Sequence, residues 1–208
     1  MPGALELALF RTVGIDLSIT ATGIARSDGA CALIGRDKVT TRSWATRIRQ
    51  LDELAHEIIE TAVIVNPVAA VIEGLDMAQA YGGQIERSYL WCQVVRGLLG
   101  GGVHVWVAPS PQVKMYATGK GSGPKAAVID AVALQWPWFK IGRNDNLADA
   151  ASCAAIARAV IQEPFELTVN PARQRAALAK VTSVFDDPTP KARKPRSKPT
   201  SGFGNSAA

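Results

Sequence analysis

Cysteine and histidine are scarce in this chain, with three and two among 208 residues. Cys31, Cys92 and Cys153 are odd in number and far apart. That pattern excludes a disulfide framework and a zinc-ligand spacing, and it points to a reducing cytoplasm. His56 and His104 stand alone and suit a helix surface and a strand edge better than metal ligation. No apolar run approaches the roughly 20 residues that a membrane-spanning helix needs. The opening MPGALELALF lacks the basic segment and cleavage site of a secretory signal, so none is expected. Acids are missing from the final stretch. After Asp187, Lys191, Arg193, Lys194, Arg196 and Lys198 carry the whole net charge of +5 and leave a neutral body. A basic tail on a neutral body suggests a polyanionic partner.

What is present is enough apolar sequence, 48% of the chain, for one domain with a full core. The expected organisation is a folded domain over 1–165, a short helical extension over 166–185 and a disordered basic tail over 186–208. In the tail proline, lysine, serine and glycine dominate and no apolar periodicity survives.

Along the chain, RTVGIDLSITATGIAR (Arg11–Arg26) reads as two strands joined by a tight turn, and Ala30–Asp37 as a third strand of an antiparallel meander. Ser43 can cap a helix over Trp44–Val65, with a core-facing stripe running from Trp44 through Ile48, Leu51, Ala55, Ile58 and Ile59 to Ala62. Pro67 ends it, and Val68–Gly74 is a short buried strand. A loop over Leu75–Gln84, a helix over Ile85–Leu99 and a strand over Val103–Val107 follow. A short helix (Pro109–Ala117), a lysine-bearing glycine loop (Gly119–Gly123) and helices over Lys125–Leu134 and Asn144–Ile161 complete the body. Strands in this order describe a meander leading into βαβ units, an α/β fold. The GKGSG stretch is not a phosphate-binding P-loop, because Lys120 is followed by Gly121 and the leading glycine position holds Lys114.

Three acids stand out against this frame. Asp16 and Glu73 each end a buried strand, and a carboxylate there costs several kcal/mol unless it is paired or bound to metal. In a parallel pair both would emerge at the C-terminal edge, where open α/β sheets hold their sites. Asp149 lies among alanines on the last long helix. Asp145 and Asn146 share its face four and three residues earlier. Asp145 also suits a helix start through the dipole. A carboxylate cluster without histidine or cysteine favours the hard cations Mg²⁺ or Mn²⁺. Two such ions can clamp a scissile phosphate, activating water on one side and stabilising the departing 3′ oxygen on the other. Glycoside chemistry needs only two carboxylates and leaves the third unexplained. Lys114, Lys120 and Lys125 are candidates to meet phosphate as point charges.

The pieces VGIDLSITATGIA, AAVIEG, PSPQVKMYATGKGSGPK and DNLADAASCAAIA, in this order and spacing, resemble RuvC-type Holliday-junction resolvases, above all the compact versions of bacteriophages and prophages. The resemblance runs from about Val13 to Ile161. It implies an RNase H-like fold, with a mixed five-stranded sheet and helices on both faces, acting as a homodimer on four-way or other branched DNA. It puts the family's first-strand aspartate on Asp16, its strand-end glutamate on Glu73 and its last helical aspartate on Asp149. The lysine near the scissile phosphate falls on Lys125. The bacterial family usually has two aspartates three apart on the last helix, and the first position is Asn146 here. Asn146 as a weaker ligand and Asp145 as a substitute both remain open.

Two other readings follow from the same residues. GIDLSITATG is similar to the first phosphate loop of actin and sugar-kinase ATP-binding proteins, but the chain has no room for their second domain after Ile161. A non-catalytic DNA-binding module on the nuclease fold is the other.

Overall fold

Alternation in the first hairpin decides which face of the sheet each residue takes. In the computed structural model, which describes residues 11–37, 43–75, 83–161 and 171–186, β1 (Thr12–Asp16), β2 (Thr22–Arg26) and β3 (Cys31–Ile34) form the antiparallel meander. Thr22 closes the first turn from a buried position. The Ser18 N–H donates to Thr22 Oγ1 at 3.1 Å, and the Thr22 hydroxyl donates back to the Ser18 carbonyl.

Ser43 caps α1 (Trp44–Val63) by accepting the Thr46 N–H at 3.4 Å. β4 (Ala69–Glu73) then lies parallel to β1, and α2 (Gln84–Gly100) crosses over to β5 (His104–Ala108), parallel to β4. Four helices follow: α3 (Ser110–Thr118), α4 (Lys125–Gln135), α5 (Asp145–Ile161) and α6 (Pro171–Leu178). Among the described residues the sheet has six strands rather than the five expected, in the order β3-β2-β1-β4-β5-β6. The sixth, β6 (Thr182–Ser183), is antiparallel to β5 opposite Val107 and Trp106. Two residues are too few to carry a periodicity, so this strand had no signature to read.

Helices cover both faces. Val13, Ile15, Ile24, Ala70, Ile72 and Val105 form one core with α1 and α2. Ala25, Val71 and Ala108 form the other with α3, α4, α5 and α6. α5 is buried on nearly every side of its length, as a helix with apolar residues all round should be. Gln174 anchors α6 from a fully buried position, its Nε2 donating to the Tyr116 carbonyl at 3.0 Å. α1 departs from its expected stripe. Leu51, Leu54, Ala55, Ile58 and Ala62 are buried, whereas Trp44 and Ile48 are 55% and 43% exposed. The first turns of α1 meet α2 through charge instead: Arg47 pairs with Glu86 at 2.7 Å and stands 5.4 Å from the Trp44 ring centre.

Cys31, Cys92 and Cys153 are all free thiols. Among the described residues no helix is long and apolar enough to cross a membrane. Most of the Leu75–Gln84 loop, and the tail from 187 onward, lie outside the described residues.

Candidate active site at the C-terminal edge of the sheet

Strand register delivers the first two acids. Ile15 of β1 is level with Ile72 of β4 in the parallel pairing, so the next residue of each strand is Asp16 and Glu73. Val13, Ile15, Ala70 and Ile72 point into the α1–α2 core. The pleat therefore turns Asp16 and Glu73 to the opposite face, under α5.

Two glycines let α5 come down on that face. A Cβ on Gly14 would stand 2.0 Å from the Ala150 carbonyl oxygen and 2.1 Å from the Ala154 nitrogen. One on Gly23 would stand 2.2 Å from the Asn146 carbonyl oxygen. Backbone against backbone, the helix rides close over β1 and β2. The Thr12 hydroxyl donates to the Ala154 carbonyl at 3.3 Å farther along. Asn144, not Asp145, caps α5, its Oδ1 accepting the Leu147 N–H at 3.0 Å. Asp149 is thereby held on the second turn, above the strand ends.

The acids feel one another. Burial, followed by the charges of Glu73, Asp149 and Asp145, pushes the Asp16 carboxyl up to about 8. Glu73 is pushed up to about 6 by burial and by Asp149, against the opposing hydrogen bond from Ser110. Asp149 also rises to about 6, chiefly through burial. Its Oδ1 is buried and has no hydrogen-bond partner among the described residues. Asp145 moves the other way, because it is ion-paired with Lys125 at the start of α4, and its carboxyl is held below the usual range. Asn146 abuts Gly23 through its backbone.

The chain thus brings Asp16, Glu73, Asp149 and Asp145 into one field, with Lys114 and Lys125 lowering the acidic potential from α3 and α4. Lys120 stays apart. It lies on the rim of a cleft of about 440 Å³ between α3 and α4, which also includes Lys114, Ala127 and Leu134. Thr118 ties that loop down: its hydroxyl accepts the Lys120 N–H at 3.1 Å, and Oγ1 lies 2.8 Å from the Lys114 carbonyl.

Two residues escaped the sequence reading. Ser110, the first residue of α3, bonds Glu73, and Arg87 on α2 acts electrostatically on both Asp16 and Glu73. Neither has a motif around it. Only the position of α2 and α3 after strands that end at the same edge would have singled them out.

A hard cation fits the donor chemistry here, since the acids offer only oxygen and one buried oxygen lacks a partner among the described residues. As they stand, no group of three or more His, Cys, Asp or Glu among the described residues is placed to hold a metal ion. The acids are electrostatic neighbours rather than a closed coordination shell.

Among solved structures, that of RuvC from Thermus thermophilus superposes with a TM-score of 0.55 at 21% identity, covering 73% of this chain and 96% of its own. The same organism's RuvC in complex with a Holliday junction substrate gives a TM-score of 0.58 at 18% identity, covering 84% of this chain and 99% of its own. The fold is that of the RuvC resolvases. The mixed α/β, RNase H-like architecture expected from the motifs is therefore present, with helices on both faces of the sheet. The yeast mitochondrial Holliday junction resolvase Ydc2 stands farther off, with a TM-score of 0.45 at 12% identity over 82% of this chain and 80% of its own. No protein-family model and no curated protein matches the chain. In this RuvC-type frame, Asp16, Glu73 and Asp149 come from β1, β4 and α5 and meet at one edge.

Proposed function

We propose that this chain is a Mg²⁺-dependent endonuclease that resolves four-way or related branched DNA, with Mn²⁺ able to substitute. The observation that carries this reading is the placement of Asp16 and Glu73 side by side at the C-terminal ends of β1 and β4 under α5, where the charges of Glu73 and Asp149 act on the Asp16 carboxyl. The structural similarity to a RuvC solved with a Holliday junction substrate supports the choice of DNA.

In this reading Asp16, Glu73 and Asp149 hold the cation, with Asp145 or Asn146 as the fourth ligand. Bound divalent ions supply Lewis acidity, activating water and stabilising the departing 3′ oxygen in an in-line displacement. The residues of the chain do the positioning. The Gly14 and Gly23 contacts fix the height of Asp149 over Asp16. Ser110 orients Glu73. Lys125, ion-paired with Asp145 yet 80% exposed, offers its ammonium to the phosphate beside the acids. Lys114 does the same from α3, and Lys120 meets a flanking phosphate. The basic tail adds sequence-independent attraction that salt screens.

A homodimer suits this activity, since two sites related by a two-fold axis match the symmetry of a four-way junction. Trp44 and Ile48 on α1 and Ile85 on α2 are exposed apolar side chains available to such an interface. The test is incubation of the pure protein with labelled four-way, flap and linear DNA in Mg²⁺ and then in Ca²⁺. Nicking of branched DNA in Mg²⁺ and binding alone in Ca²⁺ are expected. Binding without nicking under every metal condition would leave only a DNA-binding module.

A further inference from the structure

Two helices and a loop enclose the cleft between α3 and α4, and the local sequence explains why it stays open. Lys114, Ala117 and Thr118 lie three and four apart on α3, so they share one face. Ala127, Val128, Ala131 and Leu134 do the same along α4. Alanine at 117, 127 and 131 leaves a gap of about 440 Å³ that larger side chains would fill. The far ends of the helices are locked together. Gln135 Nε2 donates to the Ala117 carbonyl at 2.5 Å, and the Tyr116 and Trp136 rings stack with centres 5.9 Å apart. The loop is fixed as well. Gly119 ends α3 at a φ of 76°, the Thr118 hydroxyl accepts the Lys120 N–H, and a Cβ on Gly121 would stand 3.3 Å from the Pro111 carbonyl oxygen. The cleft is therefore built into the fold.

Its place and its charge narrow the occupant. Pro124 lines one end, and the next residue, Lys125, is ion-paired with Asp145 at the start of α5. The cleft thus opens beside the acidic edge. Lys114 and Lys120 stand on its rim, and no acid among the described residues lines it. Leu134, 83% exposed, carries the apolar lining out to solvent. An apolar slot with cations at its mouth suits a ligand that is flat at one end and anionic at the other, as a nucleotide is. The volume lies within the range of about 300–1,000 Å³ that holds one small ligand. A paired duplex keeps its bases stacked inside and offers none to such a slot. An unpaired nucleotide at a branch offers one at the least unstacking cost.

We infer that this cleft takes one unpaired nucleotide of branched DNA, its base against Ala127 and Ala131 and its phosphate on Lys120. Lys114 and Lys125 then hold the backbone on the way to the acids. This rests on the nuclease reading above and deepens it, because the chain selects branches that present an unstacked base beside the cut.

The test uses the full chain in Ca²⁺ with four-way junctions that carry 2-aminopurine, whose fluorescence rises when it leaves the stack, at each position around the branch in turn. Binding should raise the emission at one position of a strand. Removing the base there should lower wild-type affinity about 5–20-fold. Ala131→Phe fills the slot, and Leu134→Glu sets a negative charge at its mouth on an exposed side chain. Both variants should lose the emission rise and bind intact and abasic junctions alike. Leu134→Glu decides alone should Ala131→Phe fail to fold. Unchanged emission at every position, base removal that costs the wild type nothing, or folded variants that behave as the wild type each overturn the inference, since the lysines then meet phosphate alone. Nicking in Mg²⁺ is read in parallel. A wild type that draws out a base and nicks nothing keeps the nucleotide site and sinks the nuclease reading. One that nicks without drawing out a base does the reverse.

Discussion

Asp16→Asn should stabilise the metal-free protein at pH 8 while abolishing strand cleavage. Burial and then the neighbouring acids lift the Asp16 carboxyl to about 8 from an ordinary value of 3.8. The unfolded chain ionises this group near its ordinary value. From about pH 4 to 8 the folded state therefore keeps a proton that the unfolded state has lost. The stability contributed by this proton is fully present below the unfolded pKa and drains away as pH rises through the folded one. A difference of roughly four units sets an upper limit of about 5–6 kcal/mol at pH 8. The acids of the cluster share the charge, so about 2–3 kcal/mol is the realistic share of Asp16 at the higher effective dielectric of such sites. Asparagine keeps the shape and removes the charge. For a chain of this size the gain corresponds to a melting temperature higher by about 5–10 °C. Calorimetry in EDTA at pH 8 and at pH 4 reads it, with the gap shrinking at the lower pH. Millimolar Mg²⁺ should raise the wild-type melting temperature and leave the mutant almost unmoved. A mutant that is less stable at pH 8, or a gap independent of pH, would refute the shared acidic field.

Glu73→Gln and Asp149→Asn should each abolish nicking of a four-way junction in Mg²⁺ while junction binding in Ca²⁺ persists, as read on native gels. Gly14→Ala should destabilise by about 3 kcal/mol or more, because the added Cβ overlaps the α5 backbone, and denaturant unfolding measures it. Lys125→Ala should leave unfolding almost unchanged, since exposed pairs contribute little. It should also raise the Asp145 pKa toward the ordinary range, which carbon-detected NMR titration follows. Removing residues 188–208 should leave the melting temperature alone and flatten the salt dependence of junction affinity by up to about four in log–log slope, because five cations are lost.

Much of the sheet was legible because strand signals and acid positions coincide. The alternation of Val13, Gly14 and Ile15 gives β1 its two faces, and Glu73 ends β4 just as Asp16 ends β1. The spacing of Asp145 and Asp149 was enough to place both on one face of α5. What was not legible depends on approach between distant segments. Gly14 and Gly23 look like ordinary strand glycines until α5 lies against them. Trp44 and Ile48 have helical periodicity, but periodicity does not say where a helix outruns its partner. Arg87 is one arginine among many, and only the crossover shows that α2 starts at the edge where β4 ends.

The α5 sequence joins stability to the acidic site. Its alanines, with Ser152 and Cys153, are buried and make a helix that is poor in surface polarity but thin enough to lie on two strands. Larger residues would bury more apolar area and lift Asp149 away from Asp16. Burial around this helix therefore holds like charges together against repulsion and desolvation, which on their own favour separating them. Cys153, one turn beyond Asp149, registers the same field. Burial first, then Glu73, Asp16 and Asp149, drives its thiol well above the ordinary value. A neutral thiol suits that floor, whereas an ionisable acid there would add a further charge to a cluster that already strains to keep three. The small residues of α5 thus serve proximity more than packing area, and proximity is what a shared cation requires.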